Sequence, residues 1–230
     1  MSKGLLTIFS EIANRYELVN HVLALGLDIP WRKKASQIAA ADGGALWLEV
    51  CGGTGEMAVN LQRLASPGTR IVLTDFSFPM ISRARSKPEL QKTSVSLVDS
   101  SKLPFLEDTF DLVVISFATR NITGNRGRLM EFLREFNRIL RPGGRFINLE
   151  TSQPRSTLIR AAYHLYTKKI VKTLGRLISG SKTGYGYLSY SVTRFFDAEE
   201  LSRILHEVGF SKVGYRTMTF GVVAVHKAVK

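Results

Sequence analysis

Residues 48–57, LEVCGGTGEM, decide the fold, because a glycine turn follows a short apolar strand there. The apolar pattern predicts a buried strand over Ala45–Val50, followed by a helix that begins with the last two letters of the stretch. Gly52, Gly53 and Gly55 allow the backbone to turn tightly against a ligand. The stretch therefore predicts a strand, a ligand-contacting turn and a helix in that order.

A second apolar strand, Arg70–Thr74, ends at Asp75, about 20 residues after Gly55. In nucleotide-binding α/β folds an acid at this position binds a nucleoside ribose. A connecting turn with no ligand is the plainer interpretation, but the pairing of the turn with Asp75 argues against it. The sequence predicts a nucleoside-containing cofactor.

The residues around the turn favour a cationic cofactor. The glycines lack the spacing of a dinucleotide fingerprint, and no Gly-Lys-Ser/Thr follows to hold a phosphate. Glu49 lies on the strand side, and Glu56 places a negative charge at the start of the helix. S-adenosylmethionine (SAM) is a cation with a ribose diol, so we expect SAM rather than a nucleotide phosphate.

Length and composition indicate one α/β domain. The chain has 230 residues, 44% of them hydrophobic, and no apolar run long enough to span a bilayer. Cys51 is the only cysteine, and the four histidines show no ligand spacing. We expect a cytoplasmic protein with no disulfide and no metal site.

The net charge of +13 is unevenly distributed. Residues 151–230 carry 13 Lys and Arg against 4 Asp and Glu, and residues 151–196 contain no acid. Arg155–Ser179 is patterned as a basic amphipathic helix or helix pair. Such a segment suits an anionic membrane surface or a polyanion. It equally suits a lid helix with a solvated basic face, and both interpretations stay open.

The predicted elements alternate as an α/β fold requires. Strands are predicted at Ala45–Val50, Arg70–Thr74, Ser94–Val98, Leu112–Ser116 and Arg145–Leu149, with a closing pair at Lys212–Arg216 and Val222–His226. Helices are predicted at Phe9–Ala24, Trp31–Ala41, Glu56–Ala65, Pro79–Ser86, Asn125–Leu140 and Ala198–Val208. The pattern predicts a single doubly wound domain over 1–230, with N-terminal helices in 1–44 and a basic lid in 151–196.

Ligands of such folds bind beyond the carboxyl ends of the strands. Strand one brings Glu49 there, and strand two brings Asp75. Asp99 and Ser100 follow strand three, where a carboxylate can accept from an adenine amino group. Ser116 ends strand four, where the transferred group would emerge.

Several segments together resemble the ubiquinone/menaquinone biosynthesis C-methyltransferases. They are LEVCGGTGEM, LTDFS, SKLPFLEDTFDLVVISFATRN, RILRPGGRF, LETSQP, GYGYLSYSV and VAVHK. Arg15-Tyr16-Glu17-Leu18-Val19-Asn20 and Pro30-Trp31-Arg32-Lys33 are similar to the N-terminal helices of that family. The resemblance implies a class I SAM-dependent methyltransferase with a mostly parallel seven-stranded sheet, acting on a demethylmenaquinol-like polyprenyl hydroquinol.

The resemblance also implies roles for individual residues. Gly52, Gly53, Thr54 and Gly55 would form the SAM turn, with Asp75 on the ribose, Asp99 and Ser100 beside the adenine and Ser116 beneath the cofactor. Arg120 and Asn121 would face the substrate ring, where Arg120 stabilises a phenolate and Asn121 orients a ring oxygen. Tyr16, Tyr185 and Tyr187 would line the substrate site.

The chain departs from the family pattern at two acids. Tyr190-Ser191-Val192 stands where the family has E-S-I, and Tyr163-His164-Leu165-Tyr166 where it has Y-D-x-Y. If deprotonation of the quinol needs a carboxylate from that region, His164 or an ordered water must replace it.

Three other functions compete with the quinol hypothesis. Another small apolar phenol or lipid would suit the same SAM motifs. The basic charge suits nucleic acid, but strand four ends in FATRN rather than an N-P-P-Y-like segment, and no RNA-binding module is apparent. A non-catalytic binding module is disfavoured by the intact glycine turn, Asp75 and Asp99. A homodimer is left open.

Overall fold

A computed structural model describes residues 13, 16–123, 125–171, 173–174 and 184–230 of the chain. Seven strands form one sheet in the order β3-β2-β1-β4-β5-β7-β6. The strands are β1 Leu46–Val50, β2 Arg70–Asp75, β3 Ser94–Leu97, β4 Phe110–Ser116, β5 Leu140–Thr151, β6 Ser211–Met218 and β7 Val223–Val229. The first five pair in parallel, and β7 pairs antiparallel with both β5 and β6. The predicted doubly wound, mostly parallel seven-stranded sheet is confirmed.

Helices flank the sheet on both faces. They are α1 Tyr16–Leu23, α2 Asp28–Ala40, α3 Glu56–Leu64, α4 Phe78–Arg85, α5 Thr119–Thr123, α6 Arg126–Ile139, α7 Thr157–Tyr166, α8 Gly184–Arg194 and α9 Ala198–Glu207. A π-helical turn, Thr167–Val171, continues α7, and short 3₁₀ turns lie at Pro88–Leu90 and Thr219–Gly221. Residues of α6 and α9 pack on one face of the central strands, and residues of α2 and α3 pack on the other.

The central strands are buried because both faces are covered by helices. Leu112, Val113, Val114 and Ile115 of β4 are all fully buried, which explains their continuous apolar run. Parallel pairing places the carboxyl ends of β1, β2 and β4 side by side. Parallel register brings Val50 opposite both Thr74 and Ile115. The residues that follow these strands therefore share one edge of the sheet.

Two features near the fourth and fifth strands differ from prediction. Arg141-Pro142-Gly143-Gly144 was expected to separate a helix from a strand, but β5 begins before it, at Leu140. The stretch is a bulge in β5, because the register with β4 shifts there and Gly143 adopts φ +76°. The segment after β4 forms the short helix α5, which the sequence analysis did not predict.

The basic insert is only partly described. The predicted helix over Arg155–Ser179 is helical over Thr157–Tyr166 and the π turn, and residues 172 and 175–179 lie outside the described part of the chain. The predicted helix Phe9–Ala24 is described from Tyr16 onward and ends at Leu23. Within the described residues, no helix is long and apolar enough to cross a membrane.

Candidate active site

The glycine turn after β1 is fixed by positive backbone angles and by Asp75. Gly53 and Gly55 have φ of +56° and +83°. The Gly53 N–H donates to Asp75 Oδ2 at 2.9 Å, and the Ser77 N–H donates to Asp75 Oδ1 at 2.9 Å. A Cβ on Gly55 would lie 2.5 Å from Leu90 Cδ1. At position 55 the turn therefore requires glycine, because both the backbone angle and the close contact with Leu90 disfavour a side chain.

A cavity of about 600 Å³ lies against this turn. Its wall includes several residues predicted to contact SAM: Glu49, Gly52, Gly53, Thr54, Asp75 and Ser116. Gly55 does not line the cavity. Instead, its lack of a side chain allows the start of α3 to lie close to Leu90. We call this space the cofactor cavity.

Two buried oxygens in this wall have no hydrogen-bond partner among the described residues: Glu49 Oε2 and Ser116 Oγ. Glu49 is 1% exposed, and burial raises its pKa to about 8, although the nearby charge of Arg32 opposes the shift. Burial also raises the pKa of Asp75. Buried carboxylates of this kind are stabilised by a bound cation. The sulfonium and ammonium groups of SAM fit that requirement, and the carboxylate of Asp75 fits its ribose.

The two residues predicted beside the adenine are placed differently from each other. Ser100 is buried and accepts a hydrogen bond from Cys51 Sγ at 3.3 Å. Asp99 is exposed and accepts from the Ser101 N–H at 2.9 Å. Neither is part of the wall of the cofactor cavity. Burial raises the pKa of the Cys51 thiol to about 12, so it stays protonated and unreactive.

A second, more apolar cavity of about 960 Å³ adjoins the first. Tyr16, Arg32 and Phe117 line both cavities. The remaining wall is mostly apolar or aromatic and includes Leu23, Leu27, Trp31, Tyr166, Val171 and Val223. We call this space the acceptor cavity, because a molecule bound there would meet the cofactor cavity at the shared wall.

Phe117 stands at that shared wall in a strained conformation. Its φ is +53°, a value that aromatic residues rarely adopt. The Arg32 guanidinium lies 5.2 Å from the centre of its ring. Strained backbone of this kind is concentrated at functional sites.

Arg120 and Asn121 face different cavities. Arg120 lines the acceptor cavity, and Asn121 lines the cofactor cavity, although both were predicted to face the substrate ring. The Arg120 side chain is 9% exposed and donates from Nη1 to Glu150 Oε1 at 2.6 Å. Glu150 also accepts from the backbone N–H of Arg120 at 3.2 Å and of Thr151 at 2.7 Å. Sequence reasoning missed Glu150, because its partner lies 30 residues away.

A buried ionic cluster joins the first three helices. Asp28 Oδ2 lies 2.7 Å from His21 Nδ1 and 2.5 Å from Arg32 Nη1. Glu56 Oε2 lies 3.2 Å from Arg32 Nη2 in an ion pair, and Glu56 Oε1 lies 3.3 Å from His21 Nε2. The three metal-type ligands His21, Asp28 and Glu56 converge here, but the Arg32 guanidinium already supplies the positive charge between the carboxylates. No sequence motif links His21 with Asp28, so this contact was not predicted.

The predicted tyrosines divide by position. Tyr16 lines both cavities, while the side chains of Tyr185 and Tyr187 lie outside the described part of the structure. Tyr163 and Tyr166 line the acceptor cavity. Burial raises the pKa of Tyr16 and of Tyr163, so both stay neutral phenols. His164 pairs with Gln153 Oε1 at 2.8 Å and lines neither cavity, so its predicted place as a substitute base lacks support.

The fold is that of the class I SAM-dependent methyltransferases. A solved SAM-dependent methyltransferase from Thermotoga maritima superposes with a TM-score of 0.66 at 20% identity, and the match covers 97% of this chain and 99% of that one. At this identity the likeness concerns the fold alone.

Sequence comparison gives the family. The model of the ubiE/COQ5 methyltransferase family matches residues 2–230. The ubiquinone/menaquinone biosynthesis C-methyltransferase UbiE of Pseudomonas paraeruginosa (strain PA7) is 34% identical over 233 residues, which cover 100% of this chain and 90% of that protein. The corresponding protein of Pseudomonas putida is 33% identical with the same coverage. The chain therefore belongs to the ubiE/COQ5 methyltransferase family, and the predicted resemblance is confirmed.

Proposed function

We propose that this methyltransferase transfers the methyl group of SAM to a ring carbon of a polyprenyl hydroquinol of the demethylmenaquinol type. The observation that carries the proposal is the acceptor cavity, which is apolar and shares a wall with the cofactor cavity. A hydroquinol ring with an apolar tail matches such a space, because most of its surface has to leave water. The names of the Pseudomonas relatives support the same substrate class.

On the cofactor side, the proposal assigns each contact with SAM to a residue. The turn at Gly52, Gly53 and Thr54 would follow the cofactor backbone, and Asp75 would accept from the ribose hydroxyls. Glu49 and Ser116 have buried oxygens without partners among the described residues and would face the cationic part. The family resemblance implies that Asp99 and Ser100 lie beside the adenine, although neither residue lines the cofactor cavity. Asn121 lines the cofactor cavity and would meet a ring oxygen only at the boundary between the two cavities.

On the acceptor side, Arg120 would stabilise the phenolate that forms when a ring hydroxyl loses its proton. Burial lowers the pKa of Arg120, but Glu150 and neighbouring tyrosines outweigh this effect, so the net pKa shift is upward and the guanidinium stays charged. A fixed charge in a water-poor cavity stabilises developing negative charge without solvent reorganisation. Tyr16 would wall the ring at the shared boundary, and the family resemblance implies the same role for Tyr185 and Tyr187.

The proposal places the working enzyme peripherally at an anionic membrane, since a polyprenyl quinol resides there. Tyr166, Thr167 and Val171 line the acceptor cavity, and Leu165, Lys168, Lys169 and Ile170 beside them are exposed. Leu25 lines the same cavity and is 73% exposed. The Tyr166 hydroxyl donates to the Leu23 carbonyl at 3.0 Å, which joins the two segments. We call Leu25, Leu165, Lys168, Lys169 and Ile170 the basic rim.

The direct test is methyl transfer from labelled SAM to chemically reduced demethylmenaquinone in detergent, with total RNA as a parallel acceptor. We expect label in the quinone fraction and none in RNA. The matched variant is Arg120→Lys, which keeps the positive charge but loses the planar guanidinium that donates to Glu150. It should lower turnover on the quinol and leave SAM affinity nearly unchanged.

Label in neither acceptor, with SAM binding intact by calorimetry, would contradict the quinol assignment. The search would then move to other small apolar phenols or lipids, which the acceptor cavity would also admit. Label in RNA would contradict the assignment of a small-molecule acceptor altogether.

A further inference from the structure

Among the described residues, one carboxylate lines the acceptor cavity, and one of its oxygens has no hydrogen-bond partner there. Asp28 is the only acidic residue among the described residues that line the cavity. It is 3% exposed, and its Oδ1 has no hydrogen-bond partner among the described residues. An unpaired buried carboxylate oxygen is costly unless it has a ligand to accept from. A ring hydroxyl bound in the cavity would provide that donor.

The other oxygen of Asp28 is fully engaged. Oδ2 contacts Arg32 Nη1 and His21 Nδ1, so the orientation of the carboxylate is fixed from α1 and from its own helix. The His21 side chain is 31% exposed, whereas the Asp28 side chain is 4% exposed. His21 therefore connects a buried carboxylate with solvent. Glu56 faces the same histidine and arginine from α3 but lines the cofactor cavity instead.

The remaining ionisable groups of the acceptor cavity are unsuited to take a proton. Arg32 and Arg120 are cations. Tyr16, Tyr163 and Tyr166 have raised pKa values because of burial, so they remain protonated. Glu150 accepts four hydrogen bonds and does not line the cavity.

We propose that Asp28 is the general base of the reaction, accepting the proton of the acceptor's ring hydroxyl at Oδ1, and that His21 links this carboxylate to solvent. The inference rests on the proposed hydroquinol acceptor. Asp28 would be a catalytic residue because it contacts the reacting hydroxyl, and His21 would be a positioning residue that acts through it. Neither residue is among those the sequence analysis assigned to the site.

The step is balanced in protons and electrons. The hydroxyl O–H bond breaks, its proton joins Asp28, and the electron pair stays on the ring oxygen, where Arg120 stabilises it. The pair is delocalised to the ring carbon, which bonds to the sulfonium methyl while the methyl–sulfur electrons stay on sulfur. The same ring carbon then releases its hydrogen as a proton, and the ring oxygen is reprotonated. One proton leaves for solvent in each turnover.

The experiment compares the wild type with Asp28→Asn on short-tailed hydroquinols whose ring hydroxyls differ in acidity. For the least acidic acceptor we expect kcat to fall by about 100-fold in Asp28→Asn. The loss should shrink steadily as the hydroxyl becomes more acidic, because an acceptor that is already ionised needs no base. His21→Gln should show a smaller loss with the same trend.

Glu56→Gln is the matched control. It removes a carboxylate from the same ionic cluster, but on the side of the cofactor cavity. We expect it to raise the KM for SAM and to reduce turnover by one constant factor across the whole acceptor series. The dependence on acceptor acidity is therefore specific to a base and would not follow from loosening the cluster.

A loss that is constant across the series in Asp28→Asn, or no loss, would overturn the assignment and leave Asp28 a structural partner of Arg32. If the wild type itself methylates no hydroquinol, the proposed function fails instead. If thermal unfolding shows that Asp28→Asn is not folded, Asp28→Asn/Arg32→Gln removes the charges of both partners, which is less disruptive than leaving the Arg32 charge without Asp28. Glu56 then keeps His21 as its neighbour. The same acidity dependence then decides the question.

Discussion

At the residue scale, the site depends on buried acids with different surroundings. Glu49 is nearly inaccessible with one oxygen unbonded, whereas Asp75 accepts two backbone hydrogen bonds. Glu150 is neutralised by Arg120, and Asp28 has one engaged and one unengaged oxygen. These differences give the acids different chemistry although all are carboxylates. We therefore propose separate residues for cation binding, ribose binding, positioning and proton transfer.

From the raised pKa of Glu49 we predict that the protein releases a proton when SAM binds. Its pKa of about 8 lies above the ordinary value of 4.5, so at pH 7 the SAM-free protein holds a proton there. A bound cation would lower that pKa, and SAM affinity should therefore rise as the pH increases from about 6 to 8. Calorimetry at about pH 7 in two buffers of different ionisation enthalpy measures the released proton directly.

Glu49→Gln is the control for this release, because it keeps the shape of the side chain but cannot ionise. Its binding heat should be the same in both buffers. Equal heats for the wild type would contradict the expected coupling. The same pKa shift affects folding: the SAM-free native state binds more protons than the unfolded chain between about pH 4.5 and 8, so its stability should decrease as the pH rises through this range.

The sequence was informative at this scale only for residues in local motifs. Asp75 follows its strand and glycine turn in a recognisable spacing, and the structure brings it to Gly53. The pair Arg120–Glu150 and the position of Asp28 in the wall of the acceptor cavity depend on how distant elements pack together. No local pattern encodes such contacts. Neither feature could therefore be predicted without the tertiary structure.

At the element scale, the glycine turn shows how a strand and a helix are held close together. The positive φ of Gly55 directs α3 back over β2 and toward Leu90. Strand and helix positions were largely predictable, because apolar runs and the alternation of elements are local properties. The short helix α5 and the bulge in β5 were missed, since tertiary pairing rather than propensity determines them.

Gly55→Ala is expected to damage both stability and SAM binding. An alanine at φ +83° is strained, and its Cβ would approach Leu90 Cδ1 to 2.5 Å. Gly68→Ala is the matched control, because Gly68 has φ +90° and a Cβ added there would meet no atom within 4 Å. Urea unfolding should show a loss of about 1–2 kcal/mol for Gly68→Ala. Overpacking should add about 1–3 kcal/mol for Gly55→Ala.

SAM affinity separates these two variants further. Gly68→Ala lies away from the cofactor cavity and should bind SAM like the wild type, whereas Gly55→Ala should bind it weakly. Equal unfolding free energies for the two variants would mean that Leu90 moves aside at no cost, and the close approach would then not restrict the turn.

At the scale of the whole molecule, positive charge is concentrated in a part of the chain that borders the acceptor cavity. The chain carries +13, and the acid-free stretch 151–196 includes the segment beside the acceptor cavity. Leu158 of α7 is 79% exposed, and no residue of α7 is buried. An exposed helix with apolar side chains and basic neighbours beside an apolar cavity suits a lipid surface. Composition predicted the charge, but only the assembled fold relates it to the cavity.

Replacement of two lysines of the basic rim should weaken membrane binding. Each lysine near an anionic surface contributes about 1 kcal/mol, so Lys168→Glu/Lys169→Glu should reduce binding to phosphatidylglycerol-containing vesicles by about tenfold or more. Lys92→Glu/Lys102→Glu changes the net charge equally on exposed residues near β3 and serves as the control. Co-sedimentation at low salt measures both.

Salt should abolish the difference between the two double variants, because screening weakens exposed charges. Equal loss of binding in both would show that net charge rather than the basic rim governs association. No binding by the wild type at low salt would contradict peripheral association itself.

The position of β7 has a consequence for how the chain is made. This strand lies between β5 and β6 although it follows both in sequence, and its residues Val223 and Ala224 are fully buried. While a ribosome is still synthesising the preceding segments, β5 presents an uncovered row of backbone donors and acceptors. A nascent chain stalled before Val223 would already contain the residues proposed for the site, yet it would expose a strand edge that is prone to aggregation. Completion of the sheet thus waits for β7, which follows the other six strands in sequence.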